Sequence, residues 1–129
     1  MHLSRRRFTL ASALAGAVPL AHAHHGWSSF DQDRPVYLQG TVVQSRWRNP
    51  HAELVIETPA ALALPADLKS RALPAQSAAV DGPGLLARAV LPTRRDRRWE
   101  IELAPLTRMQ AWKVEEIKVG TPVAAVGFL

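Results

Sequence analysis

Histidines are concentrated in one short stretch of the chain, and their position indicates metal chemistry. Three of the five histidines fall within residues 22–25. The tripeptide Ala21-His22-Ala23 has the small residues that are typical of a signal-peptide cleavage site. Cleavage after Ala23 would make His24 the N-terminal residue. Its α-amine and its imidazole Nδ1 could then chelate one metal ion together, with nitrogen ligands of the kind that Cu(II) prefers.

A second imidazole would complete a three-nitrogen site, and the chain offers His25 or His51. Adjacent residues cannot easily place their rings on opposite sides of one ion, so His51 is better placed and His25 is a third or substitute ligand. The α-amine and imidazole have ordinary pKa values of about 7.7–8.0 and about 6.5, so both can lose a proton to a metal near neutrality. Glu53 shares a predicted strand face with His51 and could orient its ring. We expect a metal site of His24, His25 and His51, with copper as the favoured metal.

Other interpretations of these histidines stay open. Histidines beside a cleavage site can be polar residues of a flexible terminus, and His51 can simply pack over a turn. A mature chain that began at His22 or Ala23 would place a histidine third. It would then form a different, square-planar Cu(II) site with main-chain amides.

Aromatic and thioether side chains raise a related possibility. Trp27 or Trp47 could cover a Cu(I) ion, with Met109 as a soft ligand. The competing interpretation is that these residues, with Phe30 and Trp112, form the core of a small domain that has no cysteine.

Export is the feature that places this chemistry in a compartment. The basic segment Ser4-Arg5-Arg6-Arg7-Phe8 and the apolar run after it predict a signal peptide over residues 1–23, of the twin-arginine type. The run is too short to span a bilayer. We therefore expect a periplasmic mature chain, 24–129, with no transmembrane span.

Charge and composition exclude several classes of function. Three arginines lie in the signal, which leaves thirteen basic residues against eleven acidic ones. That balance is too even to indicate nucleic-acid binding. The basic run at 94–98 is interpreted as a solvated loop end or a contact with anionic lipid headgroups. Thiol catalysis is excluded because the chain has no cysteine, and no catalytic motif indicates an enzyme.

The elements that must position His51 are predicted to be strands. Residues 35–47 are rich in β-branched and aromatic side chains, with Gly40 marking a bulge or bend. Asn49-Pro50 is a turn signal, and 51–57 alternates apolar and polar residues. The two strands therefore form a hairpin with His51 at its turn.

The rest of the chain predicts a mainly β domain with one unusual insertion. Residues 58–98 are rich in proline and alanine and are expected to form a long, partly disordered insertion. Residues 99–103 predict a half-buried strand, 105–112 a short helix, and 121–128 a final, central strand. The fold class is a small OB-like β-barrel or curled antiparallel sheet with one short helix, in a single domain over 24–129.

These segments resemble a family of small exported bacterial proteins of unknown function. The resemblance rests on His24-His25, Phe30-Asp31, the segment 35–42, the W-x-N-P-H-A motif at 47–52, the strand at 99–103 and the segment 117–127. It implies a small periplasmic β-barrel-like domain and no particular activity. Such proteins usually have a shorter connection before the 99–103 strand and a further β segment after the final glycine, so barrel closure is in question here.

From these observations we expect a periplasmic protein that binds, delivers or sequesters copper, with a periplasmic or membrane protein as a further partner. The alternative is a non-catalytic interaction module without a metal. An oxidative copper enzyme is a third possibility, for which the sequence indicates no substrate surface.

Overall fold

The computed structural model describes residues 30–74 and 80–129, and these form an open antiparallel sheet. Its strands are β1 (Val36–Arg46), β2 (Glu53–Glu57), β3 (Arg98–Glu102) and β4 (Pro122–Gly127), in the order β3-β2-β1-β4. The helical elements are a 3-10 helix (Leu68–Ser70), α1 (Gly82–Arg88) and α2 (Leu106–Ala111). The mainly β prediction is confirmed, in its open-sheet form.

Strand β1 is the centre of the sheet because it changes partner along its length. Residues 36–41 pair with β4, and residues 41–46 pair with β2. The sequence predicts a bulge or bend at Gly40. The register shift lies between Val42 and Gln44 instead, two residues further along the strand. At Gly40 the main chain approaches β2 instead, and an added Cβ would collide with the carbonyl group of Glu57. Glycine is thus required where the two strands come together.

The main hydrophobic core lies on one face of this sheet. Val42, Ile56 and Trp99 are opposite one another on β1, β2 and β3, and all three are buried. Ala52 and Leu54 are also buried on this face, as the sequence predicts. Val55, on the opposite face of β2, is buried as well. The predicted alternation in β2 is therefore confirmed, and the hairpin turns at Asn49-Pro50, whose peptide bond is cis.

The segment 58–98 is more ordered than its composition predicts, in the part that the structure describes. Leu68, Leu86 and Ala89 pack around the buried ring of Tyr37, on the face of β1 opposite the main core. Val90 accepts a hydrogen bond from the Tyr37 N–H, at 2.8 Å, and donates one to the Pro35 carbonyl, at 3.0 Å. The segment therefore supplies a second core, because the first half of β1 is apolar on both faces and needs cover on both.

Two other sequence predictions are corrected by the sheet. Strand β4 was predicted to be central, but it lies at an edge, and its apolar residues are only half-buried. Trp112 was expected in the core, but it is 47% exposed and lies under the Arg108 guanidinium, 5.7 Å from the ring centroid. The helix predicted at 105–112 is confirmed as α2, which buries Met109 instead.

Candidate functional site

His51 lies at the hairpin end of the sheet, where the turn leads into β2. Its side chain is 26% exposed, and its Nδ1 is 3.5 Å from Oε1 of Glu102 on β3. The antiparallel register produces this contact, because Glu53 and Glu102 are opposite one another and His51 is the second residue before Glu53. The ring is thus half-enclosed with a carboxylate beside one nitrogen.

Glu53, the residue predicted to orient His51, has a different ion pair. Its Oε2 accepts a hydrogen bond from Nη1 of Arg46, at 2.8 Å, across the β1–β2 pair. The carboxylate that the structure places beside His51 is that of Glu102. The spacing of residues along β2 indicates Glu53 as the acidic neighbour of His51. The actual neighbour is determined by the register between β2 and β3.

Of the three predicted metal ligands, the structure describes His51. His24 and His25, together with Trp27, lie outside the described residues. Within 30–74 and 80–129, no group of three or more histidine, cysteine, aspartate or glutamate side chains is arranged to hold a metal ion. His51 with Glu102 is therefore a partial site at most in this part of the chain.

The start of the described chain is anchored at the opposite end of β1 from His51. The Asp31 N–H donates to the carbonyl oxygen of Leu129, at 2.9 Å, just beyond the pairing of Val36 with Gly127. Strand β1 has eleven residues, a straight length of ~33 Å at ~3.3 Å per residue. His51 and the start of the described chain thus lie at the two ends of the longest strand.

The sequence offers Met109 as a soft ligand for Cu(I) and Trp47 as an aromatic cover for the ion. Met109 is only 5% exposed, so it is a packing residue of α2. Trp47 follows β1 directly and is half-buried. Burial favours the core interpretation of Met109.

A cleft with polar and apolar groups in its lining is the feature that sequence reasoning missed. It has a volume of about 740 Å³ and lies where β1 passes from β4 to β2. Its lining includes the side chains of Tyr37, Gln39, Glu57, Thr58, Arg71 and Arg97. The basic run at 94–98 indicates in part that a charged surface is present. No pattern of neighbouring residues indicates that Arg71 and Arg97 line the same cleft.

Both arginines of the cleft are held by polar contacts. Arg71 donates from Nε and Nη2 to the two carboxylate oxygens of Asp67, each at 3.1 Å. These hydrogen bonds raise the pKa of Arg71 and lower the pKa of Asp67. Arg97 donates from Nε to the main-chain oxygen of Thr58, at 3.2 Å, and its Nη2 is 3.5 Å from Glu57.

Comparison with known proteins gives one match. A model of a family of unknown function (DUF6152) matches residues 12–64. The matched range includes His24-His25 and the W-x-N-P-H-A motif, and it supports similarity to a family without an assigned activity. Neither curated proteins nor solved structures give a match. Among the described residues, no helix has both the length and the apolar character needed to cross a bilayer.

Proposed function

We propose that the protein is exported to the periplasm, is cleaved after Ala23, and binds copper through the new N-terminal histidine. The observation that carries the proposal is the position of His24 directly after the Ala21-His22-Ala23 pattern. Cleavage there creates an α-amine and an imidazole on one residue, which together suit Cu(II). The function would be binding, delivery or sequestration of the ion, with no chemical turnover.

His25 and His51 are the further ligands in this proposal. A carboxylate beside one imidazole nitrogen commonly orients a metal-binding histidine for coordination through the other nitrogen. Glu102, at 3.5 Å from Nδ1 of His51, supports that role for His51. The ligand atom of His51 would then be Nε2.

The length of the N-terminal segment limits how His24 and His51 can meet. Seven residues from His24 to Asp31 can span at most ~25 Å, while β1 alone is ~33 Å long if straight. His24 and His51 of one chain can therefore share a metal ion only if the sheet is curved and the N-terminal segment is almost fully extended. A site formed by His24 and His25 requires neither condition.

The experiment that assigns the ligands is a Cu(II) titration of the mature chain beginning at His24. We compare His25→Gln and His51→Gln with the unmodified chain, and count the coordinated nitrogens by electron paramagnetic resonance. Loss of one imidazole ligand lowers the affinity by about tenfold or more. If neither substitution changes the affinity or the spectrum, the proposed imidazole ligands are wrong. The matched control is Arg48→Gln, which changes an exposed residue of the same hairpin.

An open sheet favours a second function, that of a metal-free interaction module. The strand order ends on β3 and β4, and an exposed sheet edge is a surface to which another chain can add a strand. The test is cross-linking in cells of the unmodified chain and of an Arg98→Glu, Glu100→Lys double variant. A partner that is lost in this variant, and kept when the histidines are substituted, supports the interaction module. A partner that the double variant retains contradicts it.

A further inference from the structure

The cleft beside β1 has the size of a small-molecule site. Its volume of about 740 Å³ lies within the range of about 300–1,000 Å³ that is typical of ligand pockets. Its lining mixes polar and apolar groups: the side chains of Gln39, Arg71, Arg97 and Glu57 lie beside those of valine, proline and alanine residues. The two guanidinium groups are the part of this lining that selects a charged ligand.

Arg71 is held in a fixed orientation at this cleft. Asp67 accepts two hydrogen bonds from one edge of its guanidinium group. A guanidinium group has five N–H donors in a rigid plane, so fixing one edge also fixes the direction of the others. The side chain is 39% exposed, which leaves part of it accessible from the cleft.

Arg97 is positioned by β2 in a similar way. Its Nε donates to the Thr58 carbonyl, while its own carbonyl oxygen accepts a hydrogen bond from the Thr58 N–H, at 2.7 Å. Thr58 is the buried polar residue of the described chain, at 4% exposure. This reciprocal contact fixes the main chain at Arg97, and the Arg97 side chain stays 59% exposed.

The main chain of β1 adds a donor and an acceptor to the cleft. The Tyr37 N–H faces Val90, and Thr41 pairs with Glu57 on the same side of the strand. Alternate residues of a strand direct their main-chain groups to the same side. The N–H and C=O of Gln39 therefore face the interval between these two pairings, where the cleft is.

The charge around the cleft favours an anion. Residues 94–97 form the exposed loop that leads into β3, and together with Arg98, the first residue of β3, they comprise four arginines and one aspartate. The loop is ordered by the Trp99 indole N–H, which donates to the Asp96 carbonyl at 2.8 Å, and by Arg94, which lies 5.4 Å from the Trp99 ring centroid. Of these arginines Arg97 lines the cleft, and Arg94 forms an ion pair with Asp96 at 2.6 Å. The positive field of the remaining charges attracts anionic ligands.

We propose that this cleft binds a small molecule through an oxyanion group, either a carboxylate or a phosphate, held between Arg71 and Arg97. Planar guanidinium groups recognise both kinds of oxyanion through paired N–H donors. The Gln39 main chain would bind an amide or hydroxyl group on the remainder of the ligand. The site is separate from the histidines and does not depend on copper.

The test is isothermal titration of the full mature chain with two probes, pyrophosphate and succinate. Saturable binding of one probe identifies its oxyanion as the recognised group. Arg71→Gln and Arg97→Gln should each weaken binding by about tenfold or more. Arg95→Gln is the matched control, because it removes an exposed arginine of the same basic run that does not line the cleft, and it should change the affinity by less than about twofold.

Arg97→Lys keeps the charge and removes the planar fork, so it separates specific binding from general attraction. We expect it to bind nearly as weakly as Arg97→Gln, and urea unfolding verifies that each variant is folded. The proposal is overturned if neither probe binds below about 10 mM. It is also overturned if Arg95→Gln weakens binding as much as the two cleft substitutions, or if Arg97→Lys binds normally.

Discussion

Leu86→Ala is the substitution that tests whether the segment 58–98 belongs to the folded domain. Leu86 is 7% exposed in α1 and packs in the second core with Tyr37 and Leu68. The substitution removes three carbon atoms from this core, which costs ~2.4 kcal/mol at ~0.8 kcal/mol per buried carbon. A residual cavity adds to that cost. We expect the free energy of unfolding to fall by about 2–4 kcal/mol.

The assay is urea unfolding followed by tryptophan fluorescence, with Leu64→Ala as the control. Leu64 lies in the same segment but is 42% exposed, so its truncation should cost less than about 1 kcal/mol. For Leu86→Ala, the midpoint should fall by about 1–2 M urea at an unchanged slope. Equal, small effects of the two substitutions would refute the second core and restore the interpretation of 58–98 as a loose insertion.

Three further substitutions, one of them with a control variant, test the sheet and its loops. Gly40→Ala should destabilise the protein by about 1–3 kcal/mol in thermal unfolding, because the added Cβ meets the Glu57 main chain. Gly127→Ala, where nothing lies within 4 Å, should be nearly neutral, and equal effects would contradict the close approach. Trp99→Phe removes the hydrogen bond to the Asp96 carbonyl and should cost about 1–3 kcal/mol, whereas an unchanged urea midpoint would argue against that bond. Asp67→Asn tests the Asp67–Arg71 pair. The hydrogen bonds from Arg71 lower the pKa of Asp67 from its ordinary value in the folded state, so its contribution to stability is present above the unfolded pKa and is lost as the pH falls through the folded value. Wild type should therefore exceed this variant in stability at neutral pH and lose that advantage in acid, and a difference that is independent of pH would contradict the pair.

The strands could be predicted because their pattern is local. Alternation along β2 and β3 places Ile56 and Trp99 on the buried face, and Asn49-Pro50 marks the turn between β1 and β2. Side chains of a half-buried strand alternate whatever their partners are. The bounds predicted from this pattern agree with those of the structure within one or two residues.

The second core could not be predicted because it depends on contacts between distant parts of the chain. Leu68 and Leu86 lie in short helical turns among prolines and alanines, without the repeated spacing that indicates a helix face. Their burial follows from the Tyr37 side of β1, against which Leu62, Leu91 and Val126 also pack. The cleft has the same origin, since Arg71 and Arg97 become neighbours only after both segments pack on β1.

The sequence predicts the position of His51 in the candidate site but not the acidic residue beside it. His51 is at the hairpin turn, as the sequence indicates, but its acidic neighbour is Glu102 rather than Glu53. The pairing of β2 with β3 determines this neighbour, and strand register cannot be derived from the spacing of residues in one strand. The contributions of His24 and His25 stay predictions.

The most direct test of the proposed function compares two forms of the mature chain. One begins at His24 with a free α-amine, and in the other this amine is acetylated, because an added residue would place His25 third and create the square-planar site described above. The proposal predicts tight Cu(II) binding with a nitrogen-rich paramagnetic resonance spectrum in the first form, and a loss of about tenfold or more in affinity in the second. Equal, weak binding by both forms would contradict a copper site created by cleavage.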